Sequence, residues 1–534
     1  MPNFYSKKTM KYVQDRWGKE DEAQGVEFPD TEDFFVRMMR KDDWILDDQT
    51  WNDLDMNRNY LKMNRTFSMP GQQCLYNMLR ILEFDEEELK RRSRIIDFFR
   101  MNKEKREQVQ CLLRFLGKES YDTSCGLLYK QIPELPSVRA WVLPSVIGMI
   151  ASFFTIPFWG VRSIMLIVIF FLINMVIHHL MNKATESSMA GIRYISRMLM
   201  VAKEMKKLDL PELKEYNEFF EKVVDKCGVI MRKNRSLGLS ASQDMMGIMT
   251  YFNIMFLVEA RAYLRCVTYI REYAPALRTL YRRLGELDAL QSMASVRRGM
   301  RHSCRPVFTE KENYLSAEQI GYPMLPGAVC NDITLDGRNL VLTGSNMSGK
   351  STFLRTLGVN AILAQTFDMV MAKRYEASMF NVLTSISPSD DLAEGTSYYM
   401  AEAKALLRMV NALEEGPSAL LLIDEIFRGT NPTERVAAAS SLLEYLSHKN
   451  CMIVVATHDI EITEKVSSLY DSYHFEEKVT KDTLEFDYLL KKGVLKKPNG
   501  IHILEYLGYP DEIVSQALRD VAKSMDEEDE PAAD

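Results

Sequence analysis

A glycine-bearing loop between an apolar strand and a helix is the first feature of the sequence that could do chemistry. In residues 339–355, NLVLTGSNMSGKSTFLR, the glycines Gly344 and Gly349 bracket a turn. The spacing G-x-x-x-x-G-K-S is typical of a phosphate-binding loop, whose backbone N–H groups surround a phosphate. In such a loop the lysine, here Lys350, contacts the β- and γ-phosphates, and the next hydroxyl, here Ser351, ligates Mg2+. The residues predicted to bind ATP are Gly344, Ser345, Asn346, Met347, Ser348, Gly349, Lys350, Ser351 and Thr352.

Two adjacent carboxylates follow a second apolar strand, in the stretch LLLIDEIFRGT at residues 420–430. At the end of such a strand, Asp424 can hold the Mg2+ shell, and Glu425 can polarise the water that attacks the γ-phosphate. The alternative is a pair of solvent-facing acids. We favour the catalytic interpretation because two neighbouring carboxylates at a strand end repel each other unless a cation lies nearby.

Two further motifs accompany these strands. The stretch VVATHD, residues 454–459, ends another strand at His458, which can hydrogen-bond the γ-phosphate or the attacking water and so report the state of the nucleotide. Between the two main motifs, Gly395-Thr396-Ser397 precedes a helix that carries Glu402. Taken alone this is a well-capped helix, although helix N-termini with hydroxyl groups also bind anions.

Composition limits the class of protein. The chain has 534 residues and a net charge of −7, so any contact with DNA must come from a local basic patch. Its eight cysteines are scattered, with no C-x-x-C pair and no zinc spacing, which is typical of reduced thiols in a cytosolic compartment. The charged N-terminal stretch does not resemble a signal peptide.

The hydrophobic pattern changes from helical to α/β along the chain. Between Thr66 and Lys118 apolar residues recur at helical spacing and predict three helices. Beyond Arg301, Ala419–Ile423 and Met452–Ala456 are short apolar runs, as in a parallel sheet covered on both faces. We therefore predict an α/β P-loop NTPase domain with a mostly parallel sheet, C-terminal to an all-α lever and core domain.

Two apolar runs interrupt the helical region. Trp141–Trp159 contains no charged residue, and Ser163–Leu180 is apolar up to its histidines, so each is about long enough to cross a bilayer as a helix. Basic residues lie outside the pair, and only Arg162 lies between the runs. This charge pattern predicts a transmembrane hairpin through residues 141–180 with both ends on the cytoplasmic face of the cell membrane. The alternative is a buried hairpin of a soluble protein.

Between the hairpin and the α/β region the pattern predicts long helices. Basic clusters such as Lys203/Lys206/Lys207 and Arg232/Lys233/Arg235 are either a solvated helix face or contacts for nucleic-acid phosphates. The predicted ranges are 1–64 for an N-terminal lead-in, 65–135 for a helical core domain, 136–183 for the transmembrane hairpin, 184–300 for a helical lever region, 301–524 for the ATPase domain and 525–534 for an acidic disordered tail.

Four motifs together resemble the ATPase domain of the MutS family of DNA mismatch-repair proteins. They are TGSNMSGKST, DDLAEGTSYYMAEA, LLIDEIFRGTNP and VVATHD, in this order. Residues 67–99 resemble the start of the family's helical core domain, 284–296 the end of its lever region and 486–518 its C-terminal segment. The likeness covers most of residues 66–518, apart from the apolar hairpin and the middle of the helical region, and it implies an ABC/MutS-type ATPase domain.

The resemblance implies roles at the matching positions. It assigns nucleotide and Mg2+ binding to Asn346, Gly349, Lys350, Ser351 and Thr352. It makes Asp424 the metal-binding acid, Glu425 the catalytic base and His458 the switch histidine. Ser397 matches the signature serine that reaches across a dimer to the partner's γ-phosphate, with Gly429-Thr430-Asn431 as the dimer-crossing loop beside it. A homodimer with composite ATP sites is therefore implied.

The sequence departs from the family pattern at several points. The stretch before Thr66 has no room for the mismatch-reading domain and its connector. The triplet Phe84-Asp85-Glu86 has the Phe-x-Glu form of a mismatch wedge, but it lies inside the helical core match, so we interpret it as a coincidence. The aromatic residue expected to stack on adenine is replaced by Ala328 or Val329, and Tyr398 stands where the family often has a smaller residue. ATP hydrolysis is therefore expected, whereas direct recognition of mismatches is not.

Three functional hypotheses follow. The first is a MutS-like ATPase, anchored in the membrane, that couples ATP binding, hydrolysis and dimerisation to DNA binding, in DNA repair. The second is a transporter-type ATPase, although no L-S-G-G-Q-like signature occurs and one hairpin is a small pathway. The third is a membrane-tethered scaffold that uses ATP only to dimerise, although Glu425 and His458 argue against it because a pure scaffold needs no catalytic base. The alternative to the DNA-coupled function is thus a membrane-anchored ATPase switch or a transporter-type ATPase that acts on a protein or membrane partner and not on DNA.

Overall fold

The computed structural model describes residues 3–20, 28–118, 125–130, 135–208, 210–234, 248–345, 348–386, 398–413, 416–479, 483–494 and 500–528. The chain forms two compact units. The first consists of Met1–Lys41, Met63–Asn77 and Arg94–Gly299, and the second of Asp42–Lys62, Met78–Ser93 and Met300–Asp534.

The helices and strands of the described residues are numbered here in chain order. The helices are α1 (Lys7–Arg16), α2 (Phe28–Met38), α3 (Asp48–Asp53), α4 (Met56–Met63), α5 (Met69–Arg80), α6 (Glu86–Met101), α7 (Lys103–Leu116), α8 (Arg139–Phe154), α9 (Ile156–Trp159), α10 (Arg162–Lys206), α11 (Lys214–Asn234), α12 (Ile248–Phe256), α13 (Val258–Glu272), α14 (Ala274–Gly299), α15 (Lys350–Phe367), α16 (Tyr398–Ala412), α17 (Pro432–Ser447), α18 (Ile460–Lys465), α19 (Gly500–Tyr506) and α20 (Asp511–Glu528). The strands are β1 (Trp44–Ile45), β2 (Ile81–Leu82), β3 (Val307–Phe308), β4 (Tyr314–Ile320), β5 (Asn331–Asp336), β6 (Asn339–Thr343), β7 (Arg374–Ala377), β8 (Asn381–Ser385), β9 (Ala419–Asp424), β10 (Cys451–Ala456), β11 (Tyr470–His474), β12 (Glu477–Val479), β13 (Leu484–Phe486) and β14 (Lys491–Lys492).

The described part of the first unit contains helices and no strand. The three helices expected between Thr66 and Lys118 are present as α5, α6 and α7. Asp288, on α14, is fully buried and accepts hydrogen bonds from the backbone N–H groups of Phe67 (3.0 Å) and Ser68 (2.8 Å). These bonds satisfy donors at the start of α5 and tie it to α14.

The two apolar runs form a helical hairpin inside the first unit. Helix α8 ends at Phe154, the short α9 carries Pro157 in its first turn, and α10 starts at Arg162. Gly148 of α8 lies so close to the Phe170 ring of α10 that an added Cβ would overlap it. Small residues at such positions let two apolar helices approach closely. Among the described residues, one helical stretch, Arg162–Thr185, is long and apolar enough to cross a membrane, whereas the first predicted run falls mainly in the shorter apolar helix Arg139–Phe154.

The two halves of α10 differ in exposure. This helix has 45 residues, and in its first part large apolar side chains such as Met165 (71% exposed) point away from the protein. In its second part Ile195, Met198 and Leu199 are fully buried among neighbouring helices of the unit. Polar residues occupy the opposite side of this half, which is therefore an ordinary amphipathic helix of the core.

The second unit is built on a six-stranded sheet in the order β14-β11-β6-β10-β9-β8. The five strands from β11 to β8 are mutually parallel, and β14 pairs antiparallel with β11 at one edge. The strands β6, β9 and β10 are buried along their whole length. The predicted apolar strands, and their parallel arrangement, are therefore confirmed.

A smaller sheet and an N-terminal segment complete the second unit. Four strands in the order β3-β7-β4-β5 form the smaller sheet. The segment Asp42–Lys62 packs at the open edge of the larger sheet, where the buried carboxylate of Asp53 accepts hydrogen bonds from the Thr384 hydroxyl (2.8 Å) and the Ile386 N–H (2.9 Å). Asp53 also accepts a bond from the Arg355 side chain of α15 through its carbonyl oxygen, at 2.8 Å.

Two observations differ from the ranges that the sequence suggested. Asp42–Lys62 and Met78–Ser93 group with the second unit, although their pattern placed them in the lead-in and in the helical core domain. The reason is long-range hydrogen bonding, such as that of Asp53, which hydrophobic periodicity does not reveal. Helix α20 continues to Glu528, four residues into the segment expected to be disordered.

Candidate nucleotide site

The loop between β6 and α15 has backbone geometry that glycine permits. Gly344 and Gly349 have φ angles of +140° and +107°, which L side chains rarely adopt. A Cβ on Gly344 would lie 2.8 Å from the Ser348 hydroxyl and 2.9 Å from the Phe475 carbonyl oxygen. The chain therefore turns tightly before the first turn of α15, where free N–H groups and the helix dipole favour an anion. Asn346 and Met347 of the loop lie outside the described residues.

Lys350 lies inside this loop. Its side chain is 3% exposed, and the ammonium group donates to the carbonyl oxygens of Gly344 (2.6 Å) and Ser345 (2.8 Å). Burial lowers the pKa of Lys350, while the charges of Asp424 and Glu425 act in the opposite direction. Carbonyl oxygens are weak partners for a buried ammonium group, so an anionic ligand in the loop would be a favourable replacement.

The hydroxyl group after the lysine meets the first carboxylate of the second motif. Ser351 donates a hydrogen bond to Asp424, which ends strand β9 and is 7% exposed. Burial raises the pKa of Asp424, and the hydrogen bond from Ser351 opposes the rise. A hydroxyl and a carboxylate side by side are oxygen ligands of the kind that Mg2+ prefers, together with phosphate oxygens. Among the described residues no group of three His, Cys, Asp or Glu forms a metal-binding cluster.

Glu425 occupies a strained position next to Asp424. Its φ angle is +59°, and its N–H donates to the Ala456 carbonyl oxygen at 2.8 Å. The carboxylate is paired with the Arg428 guanidinium and lies 3.3 Å from Nδ1 of His458. Burial raises the pKa of Glu425, but the hydrogen bond with His458 and the charge of Arg428 outweigh it and leave the pKa below its usual range. The same hydrogen bond raises the pKa of His458.

The parallel sheet explains why these groups meet. Strands β6, β9 and β10 are neighbours, and each is followed at its carboxyl end by one of the motifs. Five predicted residues of three separate stretches are thereby brought together in this part of the structure. They are Lys350, Ser351, Asp424, Glu425 and His458. Ser397 lies outside the described residues, so its predicted role remains a prediction.

A pocket of about 340 Å³ adjoins the loop, and its lining includes Ala328, Thr352 and Tyr488. The ring of Tyr488 lies over the loop, 3.1 Å from where a Cβ on Gly349 would stand. Asn331 fixes this part of the chain, because its side-chain amide donates to the Tyr488 carbonyl oxygen (3.1 Å) and accepts from the Leu490 N–H (2.8 Å). Sequence reasoning missed Tyr488, and the only available signal was its place in the C-terminal segment that resembles the family.

Comparison with known proteins agrees with this geometry. The family model of MutS domain V matches residues 340–526, which include the loop, both carboxylates and His458. The sheet and its site thus define an α/β domain of the MutS domain V type.

Individual relatives give the same result. The "DNA mismatch repair protein MutS" of Thermus thermophilus is 34% identical over 249 residues, which are 46% of this chain and 30% of that protein. The protein of the same name from Bacillus velezensis is 31% identical over 280 residues, or 49% of this chain and 32% of the relative. "DNA mismatch repair protein MSH3" of Candida glabrata is 31% identical over 301 residues, or 53% and 29%. The likeness to the MutS family thus covers the C-terminal half of the chain, and the chain spans about a third of the length of these relatives.

Proposed function

We propose that the protein is a membrane-anchored ATPase that couples ATP binding, hydrolysis and dimerisation to DNA binding, in DNA repair. The observation that carries the proposal is the meeting of Lys350, Ser351 and the two carboxylates Asp424 and Glu425 at the carboxyl end of one parallel sheet. A ligand at this edge of an open α/β sheet is the general expectation for such folds. The relatives are named as DNA mismatch repair proteins, which directs the proposal to DNA.

The residues of the site fit ATP and Mg2+. Ser345 has a buried hydroxyl oxygen in the loop without a hydrogen-bond partner among the described residues, and Lys350 can exchange carbonyl oxygens for phosphates. Ser351 and Asp424 would hold Mg2+, whose charge would offset that of the phosphates. Thr352 lines the adjoining pocket, where the Tyr488 ring would stack on adenine in place of the aromatic residue that the family has at Ala328 or Val329.

Glu425 and His458 have complementary roles in this proposal. Glu425 would orient the attacking water and accept its proton, and its lowered pKa keeps it ionised at neutral pH. His458 shares a hydrogen bond with Glu425 and would hold the carboxylate in position while responding to the γ-phosphate. Arg428 pairs with the same carboxylate, so it must share Glu425 with the water.

A homodimer with composite sites would complete the arrangement. The dimer-crossing segment Gly429-Thr430-Asn431 stands directly before α17, and Asn431 caps this helix by accepting from the Glu434 N–H at 2.9 Å. The cap therefore fixes the position at which this segment enters α17. Ser397 of one protomer would reach the γ-phosphate of the other, as the family resemblance implies.

Membrane anchoring rests on the exposed apolar surface of the hairpin. The most apolar 18-residue window of Arg162–Thr185 has a mean hydropathy of 2.4, and only 17% of that window is buried. A buried core helix of a soluble protein would hide most of this surface. At the tip of the hairpin, Phe158 and Val161 are 84% and 82% exposed. We propose that α8 to α10 cross the cell membrane with both chain ends on the cytoplasmic face. The test is flotation of the full chain with phospholipid vesicles. Recovery of all protein in the soluble fraction would contradict membrane anchoring by α8 to α10.

The test of the catalytic proposal is steady-state ATP hydrolysis by the detergent-solubilised protein and by Glu425→Gln. We expect the variant to bind ATP but to lose turnover by about 100-fold or more, as is typical when a general base is removed. Unchanged turnover would exclude Glu425 as the base. The exposed Glu310→Gln provides a matched control elsewhere in the second unit.

The same assay decides between DNA and another partner. Hydrolysis is compared without DNA and with paired, mismatched and branched duplexes. A change in rate with one form supports coupling to DNA and names the class of ligand. If basal hydrolysis persists and no DNA form changes it, the second candidate is favoured, namely an ATPase switch or transporter-type ATPase that acts on a protein or membrane partner. The exposed hairpin is the observation that supports this candidate.

A further inference from the structure

Helix α12 extends the apolar surface of the hairpin. Its nine residues, IMTYFNIMF, include no charged side chain, and Tyr251 and Phe252 are 62% and 47% exposed. The Tyr251 ring lies 6.4 Å from that of Phe171 on α10. The sequence pattern had placed these residues in a helical lever region. In the structure they continue the exposed apolar face of the first part of α10.

The chain turns sharply after this helix, and the side chains of two asparagines form hydrogen bonds with backbone groups on either side of the turn. Leu257 has a φ angle of +48° and separates α12 from α13. Asn174, on α10, is fully buried and donates to the Met255 carbonyl oxygen at 2.6 Å. Asn253 is also fully buried, and its side-chain oxygen accepts from the Glu259 N–H at 2.9 Å, at the start of α13. A helix end and a helix start are thus both capped by side chains.

This capping has a physical meaning beside an apolar surface. On a protein surface in water, the free carbonyl and N–H groups of a turn are usually satisfied by solvent. Among acyl chains no solvent is present, so irregular backbone is tolerated only where protein groups replace it. Asn174 would be an unfavourable residue on a lipid-facing helix unless it had such a task.

The position of the turn along α10 agrees with insertion. Asn174 lies 12 residues after Arg162, or roughly 18 Å along a helix at 1.5 Å per residue. It therefore stands near the middle of the candidate span Arg162–Thr185. Helix α12, with nine residues, is only about 13 Å long, and the hydrocarbon core is about 30 Å thick. It is too short to cross the membrane.

We propose that α12 and the turn at Leu257 lie among the acyl chains of one bilayer leaflet, beside the hairpin, as a third membrane-inserted element that does not cross. The proposal rests on the proposed membrane anchoring of α8 to α10. Its occupant is phospholipid acyl chains, because the exposed residues of α12, Thr250, Tyr251 and Phe252, carry no charge, and the two aromatic rings continue the apolar face of α10. A groove for a soluble partner would carry polar rim residues on this face.

The experiment uses the full chain with the photoreactive residue p-benzoylphenylalanine at one position. Phe252 reports on α12, Phe158 reports on the hairpin, and Tyr445, which is 48% exposed on α17, is the matched aromatic position in the second unit. Each variant is reconstituted into vesicles of phosphatidylethanolamine and phosphatidylglycerol and irradiated. Covalent phospholipid adducts are then quantified by mass spectrometry. Tyr251 serves as a second position on α12 if the first variant does not fold.

We expect adducts at Phe158 and Phe252, each at least about tenfold above Tyr445, because burial of apolar aromatic surface strongly favours the inserted state. Adducts at Phe158 with only the Tyr445 level at both Phe252 and Tyr251 would overturn the third element and leave the hairpin anchor intact. The Tyr445 level at every position would overturn the membrane anchoring itself, and the third element with it.

Discussion

Two regions of the molecule depart, in opposite directions, from the usual distribution of polar and apolar side chains. In the second unit Lys350, Asp424 and Glu425 are only 3%, 7% and 8% exposed, although charged side chains are seldom buried. In the first unit Phe158 and Val161 are more than four-fifths exposed, although large apolar patches are uncommon on soluble proteins. Each departure is unfavourable in water, so each indicates a ligand or environment that compensates for it.

The regions differ in where the compensation comes from. The buried charges already have partners within the protein, because Lys350 bonds loop carbonyl groups and Asp424 accepts from Ser351. The exposed apolar side chains have no such substitute within the described part of the chain, so contact with a further apolar surface would be favourable. A ligand site can therefore persist as a folded structure by itself, whereas an apolar exposed surface favours association with lipid or with other protein.

The largest predicted effect concerns the exposed region. Replacing Val168 and Leu172, which are 49% and 50% exposed on α10, by lysine in one variant should abolish flotation with vesicles. Each lysine near the centre of a span costs about 2.5–3.5 kcal/mol, so the pair costs roughly 5–7 kcal/mol. The matched control places lysine at Val36 and Val307, which are 55% and 57% exposed outside the hairpin, and should float like the wild type. Flotation of Val168→Lys/Leu172→Lys at the wild-type level would show that this face does not contact lipid.

The second prediction concerns the buried charge. Lys350→Met keeps the size of the side chain but removes the ammonium group, so ATP affinity should fall by at least about 100-fold, or roughly 3 kcal/mol. Thermal unfolding should change little, because relief of a buried charge is offset by the loss of two hydrogen bonds to loop carbonyl groups and of the attraction of Asp424 and Glu425. Titration calorimetry and melting curves measure the two quantities. A lower melting temperature with retained affinity would mean that Lys350 is a structural residue.

Sequence reasoning was most successful where the signal is local. The loop around Gly349, the carboxylates after β9 and the apolar strands are each encoded in fewer than a dozen consecutive residues. Their meeting is implied by the roles assigned to them around one ATP and Mg2+, and the structure gives the reason: the carboxyl ends of neighbouring parallel strands share one edge of a sheet. The predicted sheet and the convergence of Lys350, Asp424 and Glu425 therefore needed no information beyond pattern and chemistry.

Features that depend on distant contacts were not predictable. The Tyr488 ring lies beside Gly349, and Asn331 bonds the Tyr488 carbonyl oxygen from far along the chain, but neither residue has a distinctive local pattern. Asp53 belongs to the second unit through bonds to Thr384 and Arg355, far along the chain. The hydropathy of α12 is high, but its nine residues are fewer than a membrane span requires, so a length criterion overlooks it.

The third prediction tests the packing of the hairpin. Gly148→Leu would force a side chain into the Phe170 ring and should destabilise the first unit by about 1–3 kcal/mol, as overpacking does. Gly228→Leu is the control, because an added Cβ there meets nothing within 4 Å. In a double-mutant cycle followed by thermal unfolding, Phe170→Ala should recover part of the loss. Equal melting temperatures for Gly148→Leu and Gly228→Leu would contradict the close approach of α8 and α10.

The smallest predicted effect concerns the pocket beside the loop. Tyr488→Ala should raise KM for ATP about fivefold and leave kcat near the wild-type value, because a stacking contact contributes about 1 kcal/mol to binding in both ground and transition states. Tyr488→Phe keeps the ring and should behave like the wild type. Asn331→Ala should change KM in the same direction, because it frees the backbone that presents the ring. A fall in kcat without a change in KM would mean that Tyr488 acts with the catalytic groups and does not bind adenine. Another part of the second unit would then have to bind the adenine ring.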